Sequence, residues 1–255
     1  METVKTYFFT DMRVMLGRSM RHVFRSLDTV ITVTLMPVAL MLLFVYVLGG
    51  AINAGTDKYV NYLLPGILLI AIANSAGYTS YRLFNDVQRG IFERFHTMPV
   101  ARSAALWGHV LTSVISNILS LVVIVLVALV MGFRSSAGIL AWLAIAGILT
   151  LFILMLTWIA AIPGLSAKTM DGAIAIAYPI HFLPLISSAF VPVKTMPAPV
   201  RAFAEHQPVT PIVETIRALL YQQPVGQQIW VALAWCIGIM LVAYVIAMRI
   251  YRQRT

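Results

Sequence analysis

The sequence predicts an all-α integral membrane protein with six spanning helices, and three observations carry that prediction. Of 255 residues, 60% are hydrophobic and only 11% are charged, with a mean hydropathy of +0.89. A soluble domain carries about a quarter charged residues. Six stretches, 29–56, 59–81, 103–133, 135–167, 172–193 and 218–248, contain no Asp, Glu, Lys or Arg. Each is longer than the ~20 apolar residues a helix needs to cross a ~30 Å hydrocarbon core. The remaining charge is lopsided: eighteen Lys and Arg stand against nine Asp and Glu, and most of the basic residues fall on one side of the predicted membrane. Together these exclude a disordered chain, a collagen-like chain and a water-soluble enzyme domain. A lone cysteine, Cys236, excludes an internal disulfide and any cysteine metal cluster.

Each element follows in order. Val4, Phe8, Met12, Leu16, Met20, Val23 and Leu27 recur every three or four residues, with Lys5, Arg13, Arg18, Arg21 and Arg25 on other faces. This is a basic amphipathic helix over 1–28, suited to the membrane interface. A calmodulin-type target helix would share the pattern, but a span follows directly. Span cores are expected at 30–48, 62–81, 106–131, 139–162, 172–190 and 229–248. Gly49-Gly50, Gly132 and Pro163-Gly164 sit at span ends, where backbone breakers belong. Pro37, Pro65, Pro179 and Pro184 lie within or at the mouths of spans, where neighbouring helices can re-satisfy the freed carbonyls.

Between the second and third spans, 82–102 reads as a short helix over 86–98 stopped by Pro99. It sets Val87, Ile91 and Phe95 on one side and Arg89 with Glu93 as an i,i+4 pair elsewhere. A connector could be much shorter, so a docking element is expected. Between the fifth and sixth spans, 191–226 is broken by Pro192, Pro197, Pro199, Pro208, Pro211 and Pro224. Its short apolar pieces, 200–203 and 212–220, read either as external or re-entrant helices over a mouth or as an ordinary loop.

Orientation follows the Lys/Arg bias. With six spans, both termini share a side with Arg82, Arg89, Arg94, Arg102 and Lys168, which totals thirteen basic residues. Lys58, Arg134, Lys194, Arg201 and Arg217 are the five on the other side. Both termini are therefore expected in the cytosol, in a multi-pass plasma (inner) membrane protein without a cleavable signal peptide. Spread along one membrane face, the positive excess suits anionic lipid head groups and not nucleic acid.

The search for chemistry finds no catalytic constellation. Gly164 to Thr169 resembles a phosphate loop, but Ile162 and Ala167 stand where G-x-x-x-x-G-K-[ST] needs glycine. Glu205-His206 lacks the second histidine of a zinc motif, and no nucleophile elbow occurs. His109 and His181 are the ionisable side chains in or beside charge-free runs. His181, between Pro179 and Pro184, is either a substrate or proton contact or a neutral side chain bonded to a helix carbonyl. Asn74, Ser75 and Tyr78 in the second span, and Thr112, Ser116 and Asn117 in the third, either line a path or bond between helices. An energy source is missing, so uphill transport would need work from another polypeptide.

Tyr62-Leu-Leu-Pro-Gly66 resembles the opening of the second span in type-2 ABC exporter permeases of the drug-resistance, daunorubicin-type branch. Gln88-Arg-Gly-Ile-Phe-Glu-Arg-Phe-His-Thr-Met-Pro-Val-Ala-Arg102 is similar to that family's cytosolic helix. Phe190-Val-Pro-Val-Lys-Thr-Met-Pro197, then Gln207-Pro-Val-Thr-Pro and Glu214-x-x-Arg217, resemble its outer segment. Gln207 and Phe95 depart from the usual Asn and Leu. The resemblance implies a permease that is not itself an enzyme, dimerises as a homo- or heterodimer and binds no cofactor. ATP and Mg would be bound by a separate ATP-binding-cassette subunit. It implies a coupling helix carrying Asp86, Arg89, Gly90, Ile91, Phe92, Glu93, Phe95 and Pro99, and an external gate segment with Pro192, Met196, Pro197, Glu214 and Arg217. The cargo would be a drug, antibiotic or lipid-like molecule, with Asn74, Tyr78, Ser116, Asn117 and His181 as the candidate path. A polysaccharide or teichoic-acid exporter permease, or a non-transporting membrane assembly protein, would fit the same span pattern.

Overall fold

A computed structural model describes residues 27–49, 59–91, 104–175 and 177–254, and among these it is all-helical with no strand. The order is α1 (Leu27–Leu42), which continues as a π-helical turn Leu43–Leu48, then α2 (Tyr59–Gln88), α3 (Ala104–Val130) and α4 (Ile139–Ser166). After these come α5 (Met170–Ile174), α6 (Ala177–Leu185), a 3₁₀ turn Val193–Thr195, α7 (Ala198–His206), α8 (Val209–Leu220) and α9 (Gln228–Arg254).

Among the described residues four helices are long and apolar enough to cross a membrane: Tyr59–Gln88, Leu106–Val130, Ile139–Ser166 and Gln228–Gln253. The least apolar of them is the most buried. The α2 span has mean hydropathy 1.5 and is 89% buried, while the α9 span has mean hydropathy 2.5 and is 22% buried. Lipid solvates leucine as well as a protein core does, so the most apolar helices can stay outside. The helix carrying Ser75, Thr79 and Ser80 goes to the middle, where Thr79 bonds with Ser113 of α3 and Ser80 donates to the Ala173 carbonyl. Accordingly α2 packs against α1, α3, α4, α5, α6 and α8. Leu126 and Val130 of α3, Leu140 and Leu143 of α4, and Trp230 and Val242 of α9 face outward.

Close helix crossings sit on glycines. A Cβ on Gly164 of α4 would lie 2.9 Å from the Ser80 carbonyl of α2, and one on Gly66 would lie 2.5 Å from Ala189 Cβ.

Two expectations change. The run expected as a single fifth span, 172–190, is two short helices, α5 and α6, followed by turns at 186–190. Pro179 has no N–H for the Ala175 carbonyl and Pro184 has none for that of Ile180, so a continuous helix loses bonds at both places. The expected separate helix 86–98 does not begin at Asp86: α2 runs through Gln88 and stops at Gly90, whose φ of +63° is left-handed. The Gly90 N–H closes the turn onto the Val87 carbonyl at 3.1 Å, a glycine stop that costs no Cβ strain. Phe92, Glu93, Phe95, Pro99 and most of the expected amphipathic helix 1–28 lie outside the described residues.

Candidate transport site and its supports

Three of the expected path residues come together. Asn74 and Tyr78 of α2 and His181 of α6 line one cavity of about 490 Å³, with Gly77, Tyr81, Met170 and Tyr178 among the other walls. Residues of α5 and α6 wall this space, and Gly77 allows α6 to approach: a Cβ there would sit 2.9 Å from Ala177 Cβ. The wall is aromatic, with Tyr78 and Tyr81 rings 6.3 Å apart. Asn74 Nδ2 is buried and has no hydrogen-bond partner, an arrangement that costs free energy unless an acceptor arrives. Ser116 and Asn117 do not line this cavity. Asn117 Nδ2 donates to the Ser113 carbonyl one turn back on α3, at 2.8 Å.

One end of the cavity-bearing helix is held by a polar knot. Arg217 of α8 lies 3.8 Å from the centre of the Tyr62 ring and pairs with Glu214 at 2.8 Å. Its Nη2 donates to the main-chain carbonyls of Tyr62, at 3.1 Å, and Ser188, at 3.0 Å. The Tyr62 hydroxyl donates to the same Ser188 carbonyl at 2.9 Å, and Tyr59 donates to the Phe190 carbonyl at 2.8 Å. Pro65 deprives the Asn61 carbonyl of its helical donor, and Tyr221 supplies one at 3.1 Å. Burial raises the Tyr221 phenol to about 12. Gln207 Nε2 donates to the carbonyls of Leu183 and Ile186, which the end of α6 leaves open.

This explains the spacing seen in the sequence. Tyr62, Pro65 and Gly66 are needed together because one bonds, one frees a carbonyl and one admits Ala189. Glu214 and Arg217 lie one turn apart on α8, so the acid holds the guanidinium over the tyrosine. Of the other expected gate residues, the Pro192 carbonyl closes the turn onto Thr195 at 3.0 Å, Met196 presents its carbonyl to Arg201 at 3.2 Å, and Pro197 starts α7. Sequence reasoning gave Gln207 only as a departure from the usual Asn and gave Tyr59 no role. Its signal was available: a glutamine between prolines, after a run that prolines break, is a donor beside orphaned carbonyls.

At the other end of α2, Asp86 meets His109 of α3 at 2.9 Å. Arg89 is exposed, and Ile91 is half-buried just past the Gly90 stop. Among the described residues no three His, Cys, Asp or Glu side chains cluster as a metal site would.

A family model described as ABC-2 type transporter matches residues 10–221. Over 228 residues the chain is 29% identical to the daunorubicin resistance ABC transporter permease protein DrrB1 of Streptomyces coeruleorubidus, covering 88% of this chain and 80% of that one. It is 26% identical over 226 residues to the probable doxorubicin resistance ABC transporter permease protein DrrC of Mycobacterium tuberculosis, covering 87% and 80%.

Proposed function

The chain belongs to the ABC-2 type transporter family and is the membrane subunit of an exporter, and on that premise we propose what it carries and how it is driven. The cargo is an amphipathic, planar aromatic molecule, taken from the cytosol or inner leaflet. The observation that carries this is the cavity between α2 and the broken α5–α6 pair: aromatic walls, a volume of about 490 Å³, and the unpartnered amide of Asn74. Pockets of roughly 300–1,000 Å³ suit drug-sized ligands. Tyrosine faces stack on flat rings, and Asn74 would donate to one oxygen of the ligand. A glycan would ask for many more hydrogen bonds than Asn74, His181 and the tyrosine hydroxyls provide. Two relatives are named for resistance to daunorubicin and doxorubicin, which supports the same chemistry.

The remaining parts follow the family. ATP, with its Mg, is hydrolysed on a separate subunit that seats on 82–102, through residues that include Arg89, Ile91, Glu93 and Phe95. Two permease copies face each other. With α1 and its π-helical turn counted as the first crossing and the α5–α6 pair as the fifth, six crossings leave both termini in the cytosol, with α7 and α8 as re-entrant pieces inside the external segment 191–226 and the basic amphipathic 1–28 in the interface.

Doxorubicin efflux from cells expressing the permease with its ATPase tests the reading. Tyr78→Ala and Asn74→Ala should each cut efflux by about tenfold, the loss of one aromatic or hydrogen-bonding contact of roughly 1.4 kcal/mol, with surface expression unchanged. Wild-type efflux by both variants would refute the site.

A further inference from the structure

The chain passes from α2 to α3 through 89–103, and two side chains meet across the base of that connection. Asp86, in the last turn of α2, accepts a hydrogen bond from His109 Nε2 of α3 at 2.9 Å. The side chains are 28% and 15% exposed, so water screens the contact less than it would on an open surface. Arg82, one turn earlier on α2, is attracted to the same carboxylate. Beneath the pair, α2 and α3 rest on an apolar cluster that includes Leu83, Leu106, Val110 and Trp158. Trp107 sets its ring edge-on to Trp158, with centroids 5.3 Å apart.

Apolar packing is non-directional and lets helices slide over one another, whereas a hydrogen bond fixes distance and angle. We propose that Asp86 and His109 are positioning residues for energy coupling. They lock the register of α2 against α3, so that a push on the connecting segment moves both helices as one body. Neither residue need touch ATP, cargo or the ATPase. The coupling role rests on the reading that the ATPase seats on 82–102; the strap itself does not.

Hydrogen exchange on the purified permease in nanodiscs tests the strap without any partner. Asp86→Ala and His109→Ala should speed exchange at amides 84–91 and 107–113 by about fivefold. His109→Gln, which keeps a donor, and the swapped double variant Asp86→His with His109→Asp should stay within about twofold of wild type. With the co-purified ATPase in proteoliposomes, His109→Ala should bind that ATPase normally yet move about fivefold less doxorubicin per ATP, and the swapped variant should recover.

Unchanged exchange in both alanine variants overturns the proposal, and so does faster exchange with unchanged transport per ATP. Loss of ATPase binding in His109→Ala would make the pair part of the docking face and overturn it as well. Glu93→Arg separates the two readings. If that variant binds and couples to the ATPase as wild type does, the docking reading falls and takes the coupling role with it. The exchange result fails only if the strap is absent.

Discussion

The two ends of α2 are built differently. At the N-terminal end, tyrosine hydroxyls and Arg217 bond to main-chain carbonyls of 188–190 and of α2 itself, and Gly66 lets Ala189 into contact. At the C-terminal end, α2 rests on aromatic and aliphatic side chains with the Asp86–His109 bond beside them. The first arrangement is directional and shared among three segments of chain. The second is mostly apolar contact, with one side-chain pair to fix its register against α3. One helix thus has an end tied at many points next to the segment expected to gate the exit, and an end whose register rests on one pair next to the segment expected to receive force.

The sharpest way to break this contrast is Arg217→Ala. It leaves the Ser188 and Tyr62 carbonyls short of a donor and Glu214 without its cation, for a loss of about 3 kcal/mol. Thermal unfolding in nanodiscs should show the largest drop of any single change discussed, and Arg217→Lys should recover only part of it, since a single ammonium nitrogen cannot take both the Nη1 place at Glu214 and the Nη2 place between the carbonyls. A drop no larger than that of Asp86→Ala would erase the distinction between the ends.

Gly66→Ala should cost about 1–3 kcal/mol through overpacking against Ala189, and combining it with Ala189→Gly should restore most of the loss. Additive losses would mean the contact is not the cause. Tyr221→Phe should cost about 1 kcal/mol by leaving the Asn61 carbonyl without its phenol donor. The phenol titrates near 10 when unfolded and about 12 when folded, so its contribution is intact below pH 10. It is lost as pH rises toward 12, because the folded state holds the proton longer. The wild-type minus Tyr221→Phe difference in stability should therefore shrink over that window. Smallest of all, Asp86→Ala should lower stability by only about 0.5–1 kcal/mol while altering coupling.

Much of the fold was legible because a charge in a span is costly. The charge-free runs 59–81, 103–133, 135–167 and 218–248 each fall largely within one long helix. The fifth run forms the shorter elements α5 and α6, because absence of charge says nothing about continuity and Pro179 and Pro184 each remove a helical N–H. Asn74, Tyr78 and His181 were legible as polar groups in apolar runs, yet their union in one cavity depends on how α6 packs on α2. Ser116 and Asn117 looked equivalent in sequence. Helix α3 turns them elsewhere: the Asn117 amide bonds to its own helix, while the Ser116 hydroxyl is buried without a hydrogen-bond partner. The Asp86–His109 bond was out of reach, since it joins residues that the sequence reading assigned to a coupling helix and a span.

That the least apolar span is the most buried has a consequence for biogenesis. Insertion of a helix by the translocon is weighed residue by residue against lipid, and the span of α2, at mean hydropathy 1.5, brings far less driving force than that of α3 at 2.8 or α4 at 2.7. Its polar side chains are acceptable once α4 covers Ser80 and the crossing at Gly164 closes, and neither exists when α2 first emerges from the ribosome. The central helix must therefore wait at the membrane for helices made after it. Synthesis of this chain passes through a stage in which its future core is its least stably inserted part, and truncation after α2 should leave that segment far more often uninserted than truncation after α4.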